Sequence, residues 1–116
     1  MKAILIKTDQ SGSIFEADDI LDIYNYYGGF IETVYPNRLE KPFCMIVDDD
    51  GLRKGLPTNT FGSFLYETEK HGNRIAGDIF IMKQVWVSDG YDLKGLSDEE
   101  IVHISETYAL EKWRGK

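Results

Sequence analysis

Apolar positions fall into two rhythms along this chain, one suited to strands and the other to helices. Ala3-Ile-Leu-Ile6 is an unbroken apolar run closed by Thr8-Asp-Gln-Ser-Gly-Ser13, a turn-forming stretch, and Ile14-Phe15-Glu16 returns as the second strand of a hairpin. At Asp18 or Asp19 the period changes. Ile20, Leu21, Ile23, Tyr24 and Tyr27 follow an i, i+1, i+3, i+4, i+7 pattern, which predicts a helix. Asp18, Asp19 and Asp22 suit its positive end, and Gly28 suits the left-handed position that stops it. Phe30 to Tyr35 is a third strand, turned at Pro36-Asn37 and followed by a charged loop over Arg38 to Lys41. It is expected to pair with Phe43 to Val47, where five consecutive apolar residues predict a strand buried on both faces.

Asp48-Asp49-Asp50-Gly51 ends that strand as a turn. A calcium loop built on Gly51 would put its first ligand on Ile46 and its last on Pro57, and neither can bind an ion. Arg53 and Lys54 beside the acidic turn are open to two readings, local charge balance or a phosphate contact. Pro57-Thr58-Asn59 predicts a helix start, with Thr58 or Asn59 as the cap and Phe61, Phe64 and Leu65 at helical spacing behind it. Glu67 to Asn73 is a polar loop, and Arg74 to Met82 a further inner strand in which Gly77 marks a bulge or a close backbone approach. Lys83 to Val87 either continues that strand or forms its own, and Asp89-Gly90 is a turn. Ser97-Asp-Glu-Glu100 has the spacing of a capping box. The helix it opens carries Ile101, Ile104 and Tyr108 inward and ends with Lys112, Trp113, Arg114 and Lys116. This order of hairpins and helices predicts an α+β fold: one domain over residues 1–116, with a small, mainly antiparallel sheet packed with two or three helices.

Composition narrows the function by exclusion. The net charge of −7 argues against direct nucleic-acid binding, which needs a basic footprint, but permits a local cationic pocket or an acidic face that mimics DNA. No apolar run approaches the roughly 20 residues that span a membrane. One cysteine, Cys44, fits a reducing cytoplasm and, within an apolar strand, reads as a buried inert thiol. His71 and His103 have no ligand spacing between them, and no nucleotide-binding or hydrolase motif is present. The expectation is a binding protein rather than an enzyme, with no catalytic residue, metal or cofactor.

Three stretches carry a resemblance. Gly-Gly-Phe-Ile-Glu-Thr-Val over Gly28 to Val34, Val-Asp-Asp-Asp-Gly-Leu-Arg-Lys-Gly-Leu-Pro-Thr-Asn over Val47 to Asn59, and Ile-Ala-Gly-Asp-Ile-Phe over Ile75 to Phe80 resemble a family of small phage and mobile-element proteins of unknown function. With the Leu-Ser-Asp-Glu-Glu-Ile helix start at Leu96 to Ile101, the order also resembles the phage anti-Thoeris sponge proteins. That resemblance implies a homo-oligomer in the host-cell cytoplasm that sequesters a cyclic ADP-ribose or cyclic nucleotide immune signal, uncleaved, in pockets at subunit interfaces.

Such a ligand needs an aromatic face for its base, cations for its pyrophosphate and polar groups for its riboses. Trp86, Phe61 and Trp113 are the candidate stackers, Arg53, Arg74, Lys112 and Arg114 the candidate phosphate ligands, and Asn59 a candidate for ribose or base. Each has a plainer reading as core, interface, cap or solvated charge. The competing function is an acidic DNA-mimic, anti-restriction protein that binds a host defence enzyme.

Overall fold

The computed structural model describes residues 1–110, and within them the fold is α+β as the hydrophobic pattern predicts. The elements in order are β1 (Lys2–Ile6), β2 (Gly12–Glu16), α1 (Ile20–Tyr27), β3 (Ile31–Val34), β4 (Phe43–Asp48), α2 (Thr60–Tyr66), the single turn α3 (Thr68–His71), β5 (Ile79–Val87), β6 (Gly90–Lys94) and α4 (Asp98–Thr107). All the strand pairs are antiparallel, in the order β2-β1-β5-β4-β3, and β6 pairs with β5. Lys83 of β5 lies opposite both Phe43 of β4 and Lys94 of β6, while Phe80 and Ile81 lie between β4 and β1. The long β5 therefore serves β1 with its first half and β6 with its second, along one edge.

Alternation along the strands sorts the core into two layers. Ile4, Ile6, Met45, Val47, Ile79 and Ile81 point to one face, where Phe61 and Leu65 of α2 and Ile101 and Ile104 of α4 cover them. Leu5, Cys44, Ile46, Phe80 and Met82 point to the other, beneath Ile23 and Tyr27 of α1. Every residue of β4 is buried, as its apolar run predicts. Burying each large apolar side chain stabilises the fold by roughly 1.5–3 kcal/mol. Cys44 is fully enclosed, and burial pushes its thiol up to about 12.

The ends of the helices follow the sequence signals. The Asp19 carboxylate accepts from Leu21 N, and Gly28, at φ 86°, closes α1 in the left-handed region. Asn59 caps α2, and Ser97 and Glu100 form the reciprocal capping box of α4. Four expectations need correction. The stretch from Glu67 to Asn73 is not a loop throughout, since Glu67 turns left-handed (φ 61°) and starts α3. Residues 74–78 leave the sheet and run beside the α2 start, with Asn59 N donating to Ile75 O and Gly77 N to Pro57 O. β6, a mixed polar stretch, was not expected as a strand. It forms because the Asp89-Gly90 turn folds it onto β5. Finally, α4 ends at Thr107 with Tyr108 as its cap, and Lys112, Trp113, Arg114 and Lys116 lie outside the described residues.

Candidate functional site

The helices cover less of the sheet than its full width, and clefts form where they stop. β3 is a sheet edge with no fully buried residue. Beside it a cleft of about 620 Å³ opens, walled by Val34 and Val47 of the sheet, by Tyr66 and His71, and by Asn73 and Arg74. The His71 ring lies 5.0 Å from that of Tyr66. Arg74 is half-buried and donates through Nη1 to Leu56 O (2.8 Å) and Thr58 Oγ1 (3.2 Å), which leaves Nε and Nη2 without a hydrogen-bond partner among the described residues. Of the described lysines and arginines, only Lys7, Lys41 and Arg74 make no ion pair with a described residue.

A second cleft, of about 570 Å³, lies past the end of β3 and is lined by Tyr35, Lys41, Pro42, Gln84, Trp86 and Tyr91. Trp86 is 74% exposed and sits opposite Tyr91 in the β5–β6 register, the ring centroids 3.8 Å apart and the planes at 35°. Tyr35, Pro36 and Asn37 line both clefts. This strip is tied down from behind. Asn37 Nδ2 donates to the buried carboxylate of Glu67 (3.2 Å), and Arg38 donates to Phe64 O (2.7 Å) with its guanidinium 4.6 Å above the Phe64 ring. Lys70 and then Asn37 hold the Glu67 carboxyl below the usual range. On the far side of the loop Glu40 N donates to the Tyr108 hydroxyl, and Glu40 meets His103.

The acidic turn is self-contained. Asp48 accepts from Asp50 N and from Lys54 Nζ, both at 2.8 Å, while Arg53 grips Asp50 with two nitrogens and holds its carboxyl below the usual range. Nearby, Asp78 accepts from Thr8 N (3.0 Å) and the Tyr26 hydroxyl (2.6 Å), and the Tyr27 hydroxyl donates to Asp78 O. Burial of both phenols, with the Asp78 carboxylate beside them, raises their pKa values. Each of these groups is already matched inside the molecule, and Lys54 Nζ also donates to Tyr27 O (3.3 Å), which ties the acidic turn to the end of α1.

The expected site residues therefore scatter. Arg74 and Trp86 line the two clefts that share one wall. Arg53 lines neither and is committed to Asp50, the charge-balance reading. Asn59 is fully buried, its Oδ1 accepting from Gly62 N (2.9 Å) and its Nδ2 donating to Ile6 O (2.9 Å) and Gly77 O (3.0 Å), so it has nothing left to offer a ligand. Phe61 is packed in the core against Tyr108. Lys112, Trp113 and Arg114 lie outside the described residues. Tyr35, His71, Gln84 and Tyr91 were missed. The last two had a signal, since Gln84 shares the parity of Trp86 and the Asp89-Gly90 turn sets Tyr91 opposite it.

A sequence family described as a domain of unknown function, DUF3846, matches residues 1–109. The chain belongs to the DUF3846 family. The match runs from β1 through α4, so both clefts lie within the DUF3846 domain. Comparison with the curated proteins and with the solved structures gave no match. Among the described residues, no helix is long and apolar enough to cross a membrane.

Proposed function

We propose that this DUF3846 protein is a non-catalytic, phage-type anti-defence protein that sequesters a cyclic ADP-ribose or cyclic nucleotide signal. One observation carries the reading. In a chain of net charge −7, the Arg74 guanidinium stands at a cleft of about 620 Å³ with no carboxylate paired to it among the described residues. That volume lies within the range of small-molecule sites, and an arginine with free N–H groups is suited to a pyrophosphate. The shared strip Tyr35–Asn37 sets this cleft, lined by Arg74 together with Glu32, Asp48 and Asp49, next to the aromatic one, which supplies the second chemistry a nucleotide needs. Capture without turnover needs neither a metal nor a general base. The first cleft opens at the free β3 edge, where a second copy of the chain in the cytoplasm would close it. Acidic groups interleaved with cations, as at Asp48–Lys54, Asp50–Arg53 and Glu100–Lys83, favour this reading over a continuous DNA-mimic face.

The test is depletion. Cyclic ADP-ribose mixed with excess protein should vanish from the filtrate and return with unchanged mass after heat denaturation. A cleaved product, or no depletion at micromolar protein, overturns the reading.

A further inference from the structure

We infer that the second cleft is a nucleobase slot in which Gln84 reads the hydrogen-bonding edge of an adenine-type ring held against Trp86. The inference deepens the sequestration reading, and its basis is the alternation of β5. Phe80, Met82, Gln84 and Trp86 share one face of that strand. Phe80 and Met82 are fully buried in the layer that includes Ile23 and Tyr27 of α1, whereas Gln84 is half-buried and Trp86 is exposed. Beyond that layer, the same sheet face is an aromatic shelf.

Tyr91 covers one side of the Trp86 indole by stacking, and most of the remaining surface is open to solvent. Across the cleft stands Tyr35, 59% exposed, and Gln84 lines the same cleft. The backbone of Gln84 is fixed by donation from its N–H to Pro42 O (2.9 Å), so its carboxamide projects from a settled strand. The cleft thus combines an open indole, a phenol on the opposite wall and a donor–acceptor pair between them. A carboxamide presents N–H beside C=O, the complement of the N6–H donor and N7 acceptor of adenine. Guanine offers two acceptors on that edge, and cytosine only a donor. Stacking holds any base, and the amide makes the choice among them.

The experiment uses the full chain carrying Trp113→Phe, which leaves Trp86 as the only indole. Its fluorescence is titrated with AMP, GMP and CMP. AMP should quench at about ten-fold lower concentration than GMP or CMP, the smaller end of the discrimination a paired carboxamide gives. Gln84→Ala should bring the three nucleotides to within about two-fold of one another, because stacking remains and the reader is gone. Gln84→Glu, an acceptor only, should weaken AMP by about ten-fold and favour CMP. Circular dichroism confirms the fold of each variant, the exchange being at a half-exposed position. Equal quenching by all three nucleotides, no quenching at millimolar nucleotide, or an unchanged preference in Gln84→Ala overturns the slot. The two readings can fail separately. If AMP binding depends on Gln84 while cyclic ADP-ribose stays in the filtrate, the slot stands and sequestration falls. If cyclic ADP-ribose is captured equally by wild type and Gln84→Ala, the reverse holds.

Discussion

Asn59 shows how a single side chain can be half legible. Its place after Pro57-Thr58 announces a helix cap, and its Oδ1 does accept from Gly62 N. The other half of the amide turns inward to two carbonyls, of Ile6 and Gly77, that are far away in the chain. No local pattern could reveal that, because the partners exist only after β1 and the 74–78 segment have met α2. Asn59→Ala should therefore cost more than an ordinary cap. Loss of the cap costs about 1 kcal/mol, and each buried carbonyl left unpaired adds about 1 kcal/mol or more, for a total near 3 kcal/mol by urea denaturation. Asn59→Asp keeps the acceptor but buries a carboxylate against two carbonyl oxygens. It should lower the urea midpoint further than Asn59→Ala does. Arg53 is the opposite case, where the sequence supported two readings and one hydrogen-bonded partner, Asp50, decided between them.

Among the elements, those with a complete local signature were legible and those made by context were not. α1 had its period, its acidic start and its glycine stop, and α4 had its capping box. α3 had none of these. It is a single turn launched by a left-handed Glu67 whose carboxylate is held by Lys70 and Asn37. β6 alternates too weakly to stand out and exists because β5 is long enough to pair with it. The capping box allows a measured check. Ser97→Ala should cost about 1 kcal/mol of stability. Acid should weaken the same helix start. Ser97 N and then Lys83 hold the Glu100 carboxyl below its ordinary value, so its stabilisation is full above the unfolded value of roughly pH 4.3 and is lost as pH falls through the folded value. Thermal melts between pH 5 and pH 2 should show a smaller loss of midpoint in Glu100→Gln than in wild type.

For the molecule as a whole, the fold was readable because both faces of the sheet are apolar. The clefts were not readable, since they depend on where the helices stop and not on what the strands contain. That difference yields a contrast between two arginines. Arg74→Ala should weaken capture of cyclic ADP-ribose at least ten-fold, since a charge-assisted hydrogen bond to a phosphate contributes about 1.5–3 kcal/mol, whereas Arg53→Ala should leave capture unchanged in the same depletion assay. Equal losses would place the phosphate elsewhere. The enclosed sulfur of Cys44 has one more use. It is the sole thiol of the chain, buried on the sheet face beneath α1, so a maleimide can reach it only when that layer opens. Its labelling rate is thus a clock for that opening. A compound that binds only the closed form slows the clock by a factor of about one plus its concentration over its Kd, so a compound library could be screened for the natural ligand before its identity is known.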